Sequence, residues 1–84
     1  MRVEFFGVSR QRSGVAELHV QAGTLGELLS TLAAAYPSFG ELIDGDRLHP
    51  VLAANLNGDR FVRDPETPLR DHDCLLILSA DAGG

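Results

Sequence analysis

Hydrophobic and polar residues alternate in two segments near the start of the chain, 2–8 and 15–21. In the segment 2–8, Val3 and Phe5 are separated by a polar residue, and this period of two predicts a β-strand. The segment 15–21 alternates in the same way and predicts a second strand. The stretch 9–14 between them is polar and ends in glycine, which is typical of a turn. The pattern therefore predicts a β-hairpin.

A helical period follows. Thr24 and Glu27 have the spacing of a capping box, in which the Thr24 hydroxyl accepts a hydrogen bond from the Glu27 amide and the Glu27 carboxylate reaches back. Behind this box, leucines recur on one predicted helix face, namely Leu25, Leu28, Leu29 and Leu32. Pro37 predicts the end of the helix. Residues 38–44 are then expected to form a short helical turn packed under the core.

The second half of the chain again favours strands. Residues 51–56 predict a third strand, which the tight-turn dipeptide Asn57-Gly58 closes. A short strand at 61–62 and a last strand at 74–79 follow. One main helix packed across a mixed four- to five-stranded sheet, with a short extra helix, is an α+β roll. With the first and last strands side by side at its centre, it would be a β-grasp fold.

Composition and charge exclude several classes of function. The chain has 84 residues and a net charge of −5, which suits one small domain and argues against a nucleic-acid partner, because phosphate binding needs clustered positive charge. The single cysteine excludes an internal disulfide. The histidines lack the spacing of metal ligands, so no metal site is expected. Without a signal peptide or a membrane-spanning run, a cytoplasmic location is expected. All seven basic residues are arginine, so the chain has no lysine amine.

The chain ends in Gly83-Gly84, directly after the last strand. Glycine is used where the backbone must lie against another surface without a side chain in the way. We expect residues 1–79 to form the folded domain and residues 80–84 to form a flexible tail. Fully extended, this tail would reach about 17 Å. It could therefore thread a carboxylate into a narrow active site.

Several motifs together resemble the ubiquitin-like sulfur carriers, such as the molybdopterin synthase small subunit and the thiamine-pathway carrier. They are Val3-x-Phe5-Phe6-x-x-x-Arg10, Pro68-Leu69-x-Asp71-x-Asp73 and Gly83-Gly84. The length and the segment 39–50 are more similar to the molybdopterin synthase subunit. Two features depart from the family pattern. His72 stands where such carriers often have glycine. The tail of such carriers is usually Pro-rich and apolar, whereas Asp81 makes the tail of this chain acidic.

The resemblance implies that Gly84 is the reactive residue. An E1-like enzyme would use ATP to adenylylate the Gly84 carboxylate, and a sulfur donor such as a cysteine desulfurase or a rhodanese would convert it to a thiocarboxylate. An acceptor enzyme such as the molybdopterin synthase large subunit would then take the sulfur. Gly83, Ala82 and Asp81 would thread into the partner. The chain would be a non-catalytic subunit or co-substrate with no tightly bound cofactor.

The first and last predicted strands are apolar on both faces, and this pattern predicts a docking surface. Phe6 and Val8 are expected to point away from the helix, and Leu76 and Leu78 of the last strand are expected to share that face. Exposed apolar patches of this kind mark interfaces. The alternative is that loops or the short helix cover them. Cys74 is interpreted as an inert structural thiol because no basic neighbour is expected to lower its pKa.

Two alternatives to the molybdenum-cofactor role stay open. The first is a protein modifier that is conjugated through Gly84 to lysines of target proteins, although a chain without lysine cannot form lysine-linked polymers of itself. The second is a carrier for thiamine or cysteine synthesis. A β-grasp interaction module with an incidental Gly-Gly end is a further possibility from a different functional class. Asp71 and Asp73 are assigned to turn hydrogen bonding.

Overall fold

The structure is a computed structural model and describes residues 1–83, except the side chain of Ala82. Within this range the strands are β1 (Arg2–Phe5), β2 (Glu17–His19), β3 (Ile43–Asp44), β4 (Arg47–Leu48), β5 (Leu52–Leu56), β6 (Arg60–Val62) and β7 (Cys74–Ser79). The helices are α1 (Val8–Ser13), α2 (Leu25–Ala35), α3 (Pro37–Gly40) and α4 (Ala80–Gly83). None of the described helices is long and apolar enough to cross a membrane.

The main sheet has the order β2-β1-β7-β5-β6. The first and last strands along the chain, β1 and β7, are parallel neighbours within this sheet, with Val3 opposite Leu75. All other neighbours in this sheet are antiparallel. This arrangement, with α2 as the main helix, is the predicted β-grasp fold.

The core lies between α2 and one face of the sheet. The four predicted leucines of α2 are buried, as are the inward residues of the central strands, which are Val3, Phe5, Leu75 and Ile77. Fully burying one such side chain contributes about 1.5–3 kcal/mol to folding. The predicted capping box is also present: Glu27 N donates to Thr24 Oγ1 at 3.2 Å, and Gly23 N donates to Glu27 Oε2 at 2.8 Å. Local sequence signals therefore place α2 correctly.

The predicted turn at 9–14 is wrong, because residues 9–13 belong to helix α1 and Gly14 caps its carboxyl end. The first strand accordingly ends at Phe5 rather than at Val8. Gly7 has a φ of 59°, a conformation that favours glycine and ends the strand. The buried Ser9 hydroxyl accepts from Phe6 N at 3.0 Å and donates to Ile77 O at 2.7 Å. These bonds tie α1 to β7 at the centre of the sheet.

The segment after α2 also differs from the prediction. The expected helical turn at 38–44 lies earlier, as α3 at Pro37–Gly40, and places Phe39 in the core. The ring of Phe39 packs edge-on against that of Phe5, with centroids 5.6 Å apart. Behind α3, β3 and β4 form a small hairpin that was not predicted. Gly45 at its turn has a φ of 66°.

Candidate functional site: the outer sheet face and the C-terminal tail

The tail follows directly from the central strand β7. Ala80 N donates to Val51 O at 2.9 Å, which fixes the point where the chain leaves the sheet. Residues Ala80–Gly83 then form the single helical turn α4, in which Asp81 is exposed. Gly84 lies outside the described residues. A helix this short is marginal in water, so it can unwind at little cost, and the flexibility of residues 80–84 stays a prediction.

The face of the sheet turned away from α2 is called the outer face here. Strand registers place Glu4, Leu76, Asn55 and Phe61 side by side across it, from β1 through β7 and β5 to β6. Leu76 is half-buried, whereas its chain neighbours Leu75 and Ile77 are fully buried on the α2 side. The predicted alternation of inward and outward residues along β7 is therefore correct.

The four predicted docking residues lie at or near this face, but not on two regular strands as expected. Leu76 and Leu78 are half-buried outward residues of β7. Phe6 N donates to Ile77 O at 2.9 Å, so Phe6 still lies beside β7, and its side chain is 48% exposed. Val8 is 38% exposed but begins α1, so its predicted place on the first strand is wrong. Whether these residues bind a partner stays a prediction.

Phe61 is an exposed aromatic residue that sequence reasoning missed. It is 53% exposed and lies opposite Asn55 in the β5–β6 pair. The signal was present, because the next residue, Val62, is apolar and points inward, which turns Phe61 outward in a strand. Phe61 extends the apolar part of the outer face to the edge of the sheet.

The opposite side of the outer face is polar. Arg2 Nε lies 3.5 Å from Glu4 Oε1, and the parallel register sets Arg2 opposite Cys74. The Cys74 side chain, followed by Glu4, raises the pKa of Arg2. The register of two distant segments therefore brings an arginine beside Cys74, a contact that the sequence did not predict.

A hydrogen-bond network fixes the start of β7. Asn57 Nδ2 donates to Asp73 Oδ1 at 2.9 Å, and Arg70 N donates to Asp73 Oδ2 at 2.8 Å. These two bonds, with Asn57 as the larger cause, hold the pKa of Asp73 below its usual value. Cys74 N donates to Asn57 Oδ1 at 2.8 Å. The predicted turn role of Asp73 is confirmed, and Asn57 extends the β5–β7 ladder through its side chain.

The described residues contain no group of three His, Cys, Asp or Glu side chains placed to hold a metal ion. A broad open groove lies on the α2 side of the sheet. It is lined by polar and acidic side chains, including Thr24, Glu27, Asp46 and Glu66. The features that the sequence singled out for function lie instead on the outer face and along the path from β7 into the tail.

The chain matches the profile of a protein family. The profile of the ThiS family matches residues 3–84, which is nearly the whole chain and includes the terminal glycines. No curated protein matches the sequence.

Solved structures similar to this chain share its fold over almost their full length. The small archaeal modifier protein 1 from Methanosarcina acetivorans is 26% identical with a TM-score of 0.79, covering 99% of this chain and 94% of that one. CysO from Mycobacterium tuberculosis is 28% identical with a TM-score of 0.75, and the match covers 94% of this chain and 97% of CysO. The complex of subunits 1 and 2 of the molybdopterin-converting factor from Helicobacter pylori gives 26% identity and a TM-score of 0.66, covering 99% and 96%.

Proposed function

The chain belongs to the ThiS family of ubiquitin-like sulfur carriers, and we propose that it carries sulfur as a thiocarboxylate on Gly84 for cofactor biosynthesis. The observation that supports this most is that the family match runs through the terminal Gly83-Gly84. The acceptor that we propose is the molybdopterin synthase large subunit, with this chain as the small subunit. Similarity to the molybdopterin-converting factor complex supports that choice.

The proposed chemistry begins at the Gly84 carboxylate. A terminal carboxyl group has an unperturbed pKa of about 3.3–3.7 and is ionised at neutral pH, so it is a poor electrophile. An E1-like enzyme would join it to AMP from ATP and release pyrophosphate. Hydrosulfide would then attack the acyl carbon and displace AMP, leaving the thiocarboxylate. If the donor is a persulfide on a desulfurase or rhodanese, a thiol must afterwards cleave the resulting S–S bond.

The fold suits this chemistry because the body and the tail have separate roles. The tail leaves the sheet at Ala80, and its extended reach of about 17 Å would carry Gly84 away from the body. The helical turn α4 must unwind for this to happen. We further propose that partners dock on the outer face, where Phe6, Phe61, Leu76 and Leu78 are exposed or half-buried. Each side chain that contributes to catalysis would belong to the partner enzymes.

Deleting Gly84 in the native host tests the proposed acceptor. We expect the deletion to abolish synthesis of the molybdenum cofactor while the shortened protein keeps its thermal stability, because Gly84 lies beyond the last strand. Cofactor content is measured in the deletion strain and in a strain that carries the unaltered gene. Normal cofactor content in the deletion strain would contradict the molybdopterin role.

A second candidate function is conjugation to target proteins, which similarity to a small archaeal modifier protein favours. In that case the Gly84 carboxylate would form an isopeptide bond with a lysine amine of the target. Mass spectrometry of host proteins would detect lysines that carry the chain's C-terminal remnant. A role as a carrier for thiamine or cysteine synthesis stays open as well.

A further inference from the structure

A narrow cleft lies beside β5 where the main sheet loses its edge strand. Strand β6 pairs with β5 only as far as Val62 opposite Ala54. The two preceding residues of β5 therefore have no strand paired on that side among the described residues. Buried leucines of α2 and β5 line the cleft, together with the two arginines Arg47 and Arg63. We call it the arginine cleft.

The arginine cleft admits only small groups. Its volume is about 10 Å³, which is close to the least space that holds one water molecule. Its leucines Leu25, Leu29 and Leu52 are fully buried in the core, so the cleft cannot widen without disturbing close packing. A leucine or aromatic side chain of another protein therefore does not fit, whereas a methyl group, a glycine or a carboxylate does.

The charge of the cleft is positive and is not balanced within the described part of the chain. Arg47 and Arg63 are exposed and form no ion pair among the described residues. Their acidic chain neighbours are placed elsewhere, because Asp46 lines the groove at the start of α2 and the Asp64 carboxylate accepts from Glu66 N at 2.9 Å. In a chain with a net charge of −5, this cleft is a local site for an anion.

The carboxyl end of the chain has the size and the charge that the cleft requires. Its last three residues, Ala82, Gly83 and Gly84, have no side chain larger than a methyl group. Two negative charges lie in the tail, on Asp81 and on the terminal carboxylate, which is ionised at neutral pH. Asp81 is also the feature by which this tail departs from the family pattern, so a role for its charge would be particular to this chain.

The tail begins close enough to reach the cleft of its own chain. Ser79 lies opposite Leu52, and Ala80 N donates to Val51 O at 2.9 Å. The cleft lies on the other side of β5, which is about two strand spacings or about 10 Å from β7. The extended tail reaches about 17 Å. Once the short helix α4 unwinds, the Gly84 carboxylate can therefore meet the arginines after crossing the end of β5.

We propose that the tail has a closed state, in which Asp81 and the Gly84 carboxylate bind to Arg47 and Arg63 of the same chain. An enzyme that uses the Gly84 carboxylate must then compete with the two arginines, so the closed state slows the activation of dilute chain. The closed state itself does not depend on the carrier function, whereas this effect on activation rests on the proposed function.

The test uses nuclear magnetic resonance of the full-length chain labelled with ¹⁵N. It compares the amide resonances of Gly83 and Gly84 in the unaltered chain and in the double variant Arg47→Gln/Arg63→Gln. The matched control is Arg60→Gln, which removes the same charge from an exposed arginine at the end of β5 away from the tail. Asp81→Asn is a second variant that lies beyond the last strand, so it cannot unfold the core.

We expect both glycine amides to shift by several linewidths in the double variant, and less in Asp81→Asn, which keeps the terminal carboxylate. Adding 1 M NaCl to the unaltered chain should cause a similar shift, because the screening length falls to about 3 Å. Arg60→Gln should leave both amides unchanged, and tenfold dilution should have no effect on a contact within one chain.

The consequence for activation is measured in an extract of the native host that lacks the carrier gene. Purified chain is added with ATP and sulfide, and intact mass spectrometry follows conversion of Gly84 to the thiocarboxylate. At low carrier concentration we expect the double variant to be converted about two to three times faster than the unaltered chain, because its tail is always free. Arg60→Gln should be converted at the rate of the unaltered chain.

The outcomes separate the closed state from the carrier function. Unchanged glycine amides in the double variant would overturn the closed state, as would an equal shift in Arg60→Gln. Shifts that depend on protein concentration would show binding to a second copy and would also overturn it. If the double variant does not fold, unchanged amides in Asp81→Asn and in 1 M NaCl decide against the closed state. If the unaltered chain is never converted while the amide shifts appear, the carrier function is wrong and the closed state stands. Conversion of the double variant at or below the unaltered rate would overturn the effect on activation.

Discussion

Asn57 gives the sharpest stability prediction, because its side chain and its backbone conformation both matter. In Asn57→Ala the hydrogen bonds to Asp73 and Cys74 N are lost. The bond to a charged acceptor contributes about 1.5–3 kcal/mol and the neutral one about 1 kcal/mol. Asn57 also has a φ of 60°, where alanine costs about 1–2 kcal/mol. Because both bonds lie near the surface, we expect a loss of about 3 kcal/mol in the free energy of unfolding.

Asn57→Gly is the matched variant, because glycine tolerates the positive φ but also loses both hydrogen bonds. We expect it to be about 1 kcal/mol more stable than Asn57→Ala. Urea denaturation followed by circular dichroism measures both values. A loss of about 3 kcal/mol should lower the melting temperature by about 12–24 °C in a domain of this size.

Two results would refute this reasoning. If Asn57→Ala lies within 1 kcal/mol of the unaltered chain, the network at the start of β7 does not stabilise the fold as its geometry implies. If Asn57→Gly is the less stable of the pair, the backbone contribution has the wrong sign. Because Asn57 lies at the opposite end of β7 from the tail, folded Asn57→Ala should still be activated at Gly84 at low temperature.

Three further predictions concern charge and the chain ends. The pKa of Asp73 is lowered in the folded state. Its ionised carboxylate therefore stabilises the fold fully above about pH 4, and this stabilisation is lost as the pH falls through the folded pKa. In acid-denaturation curves, the loss of stability caused by Asp73→Asn should become smaller below about pH 4. One residue added after Gly84 should abolish activation without changing the melting temperature, and normal activation would contradict the mechanism. Since Met1 N donates to Val20 O at 2.9 Å and the chain has no lysine, activated carrier at high concentration should form no amide-linked dimer in intact mass spectra.

Local signals in the sequence determined α2 and the central strands. The capping box at Thr24 and the leucine stripe involve residues of a single helix, and the alternation at Val3 and Phe5 involves residues of a single strand. These elements could therefore be predicted from the sequence without knowledge of the tertiary structure. The predicted position of the first and last strands side by side is confirmed by the pairing of β1 with β7, which the structure shows to be parallel.

Helix α1 could not be predicted in the same way. Its sequence has no apolar stripe, and the hydrogen bond from Ser9 that ties it to the centre of the sheet goes to Ile77, 68 residues away. The hairpin of β3 and β4 is different, because Gly45 between short apolar segments is a turn signal that was overlooked.

The candidate site was partly predictable. The terminal glycines and the outward leucines of β7 follow from sequence, and Phe61 could have been found from the inward Val62. The contact of Arg2 with Cys74 depends on strand register, and the cleft beside Arg47 and Arg63 depends on where β6 stops pairing with β5. Neither property has a signature in the sequence.

The intact mass of the chain isolated from its native host tests the central claim most directly. The account predicts a population that is heavier by the replacement of one oxygen with sulfur, located at Gly84 by fragmentation. Treatment with an alkylating agent should label this population and leave a Gly84-deleted chain unlabelled at its carboxyl end. A chain that always carries an unmodified Gly84 carboxylate, under conditions where the host makes its sulfur-containing cofactors, would contradict the account.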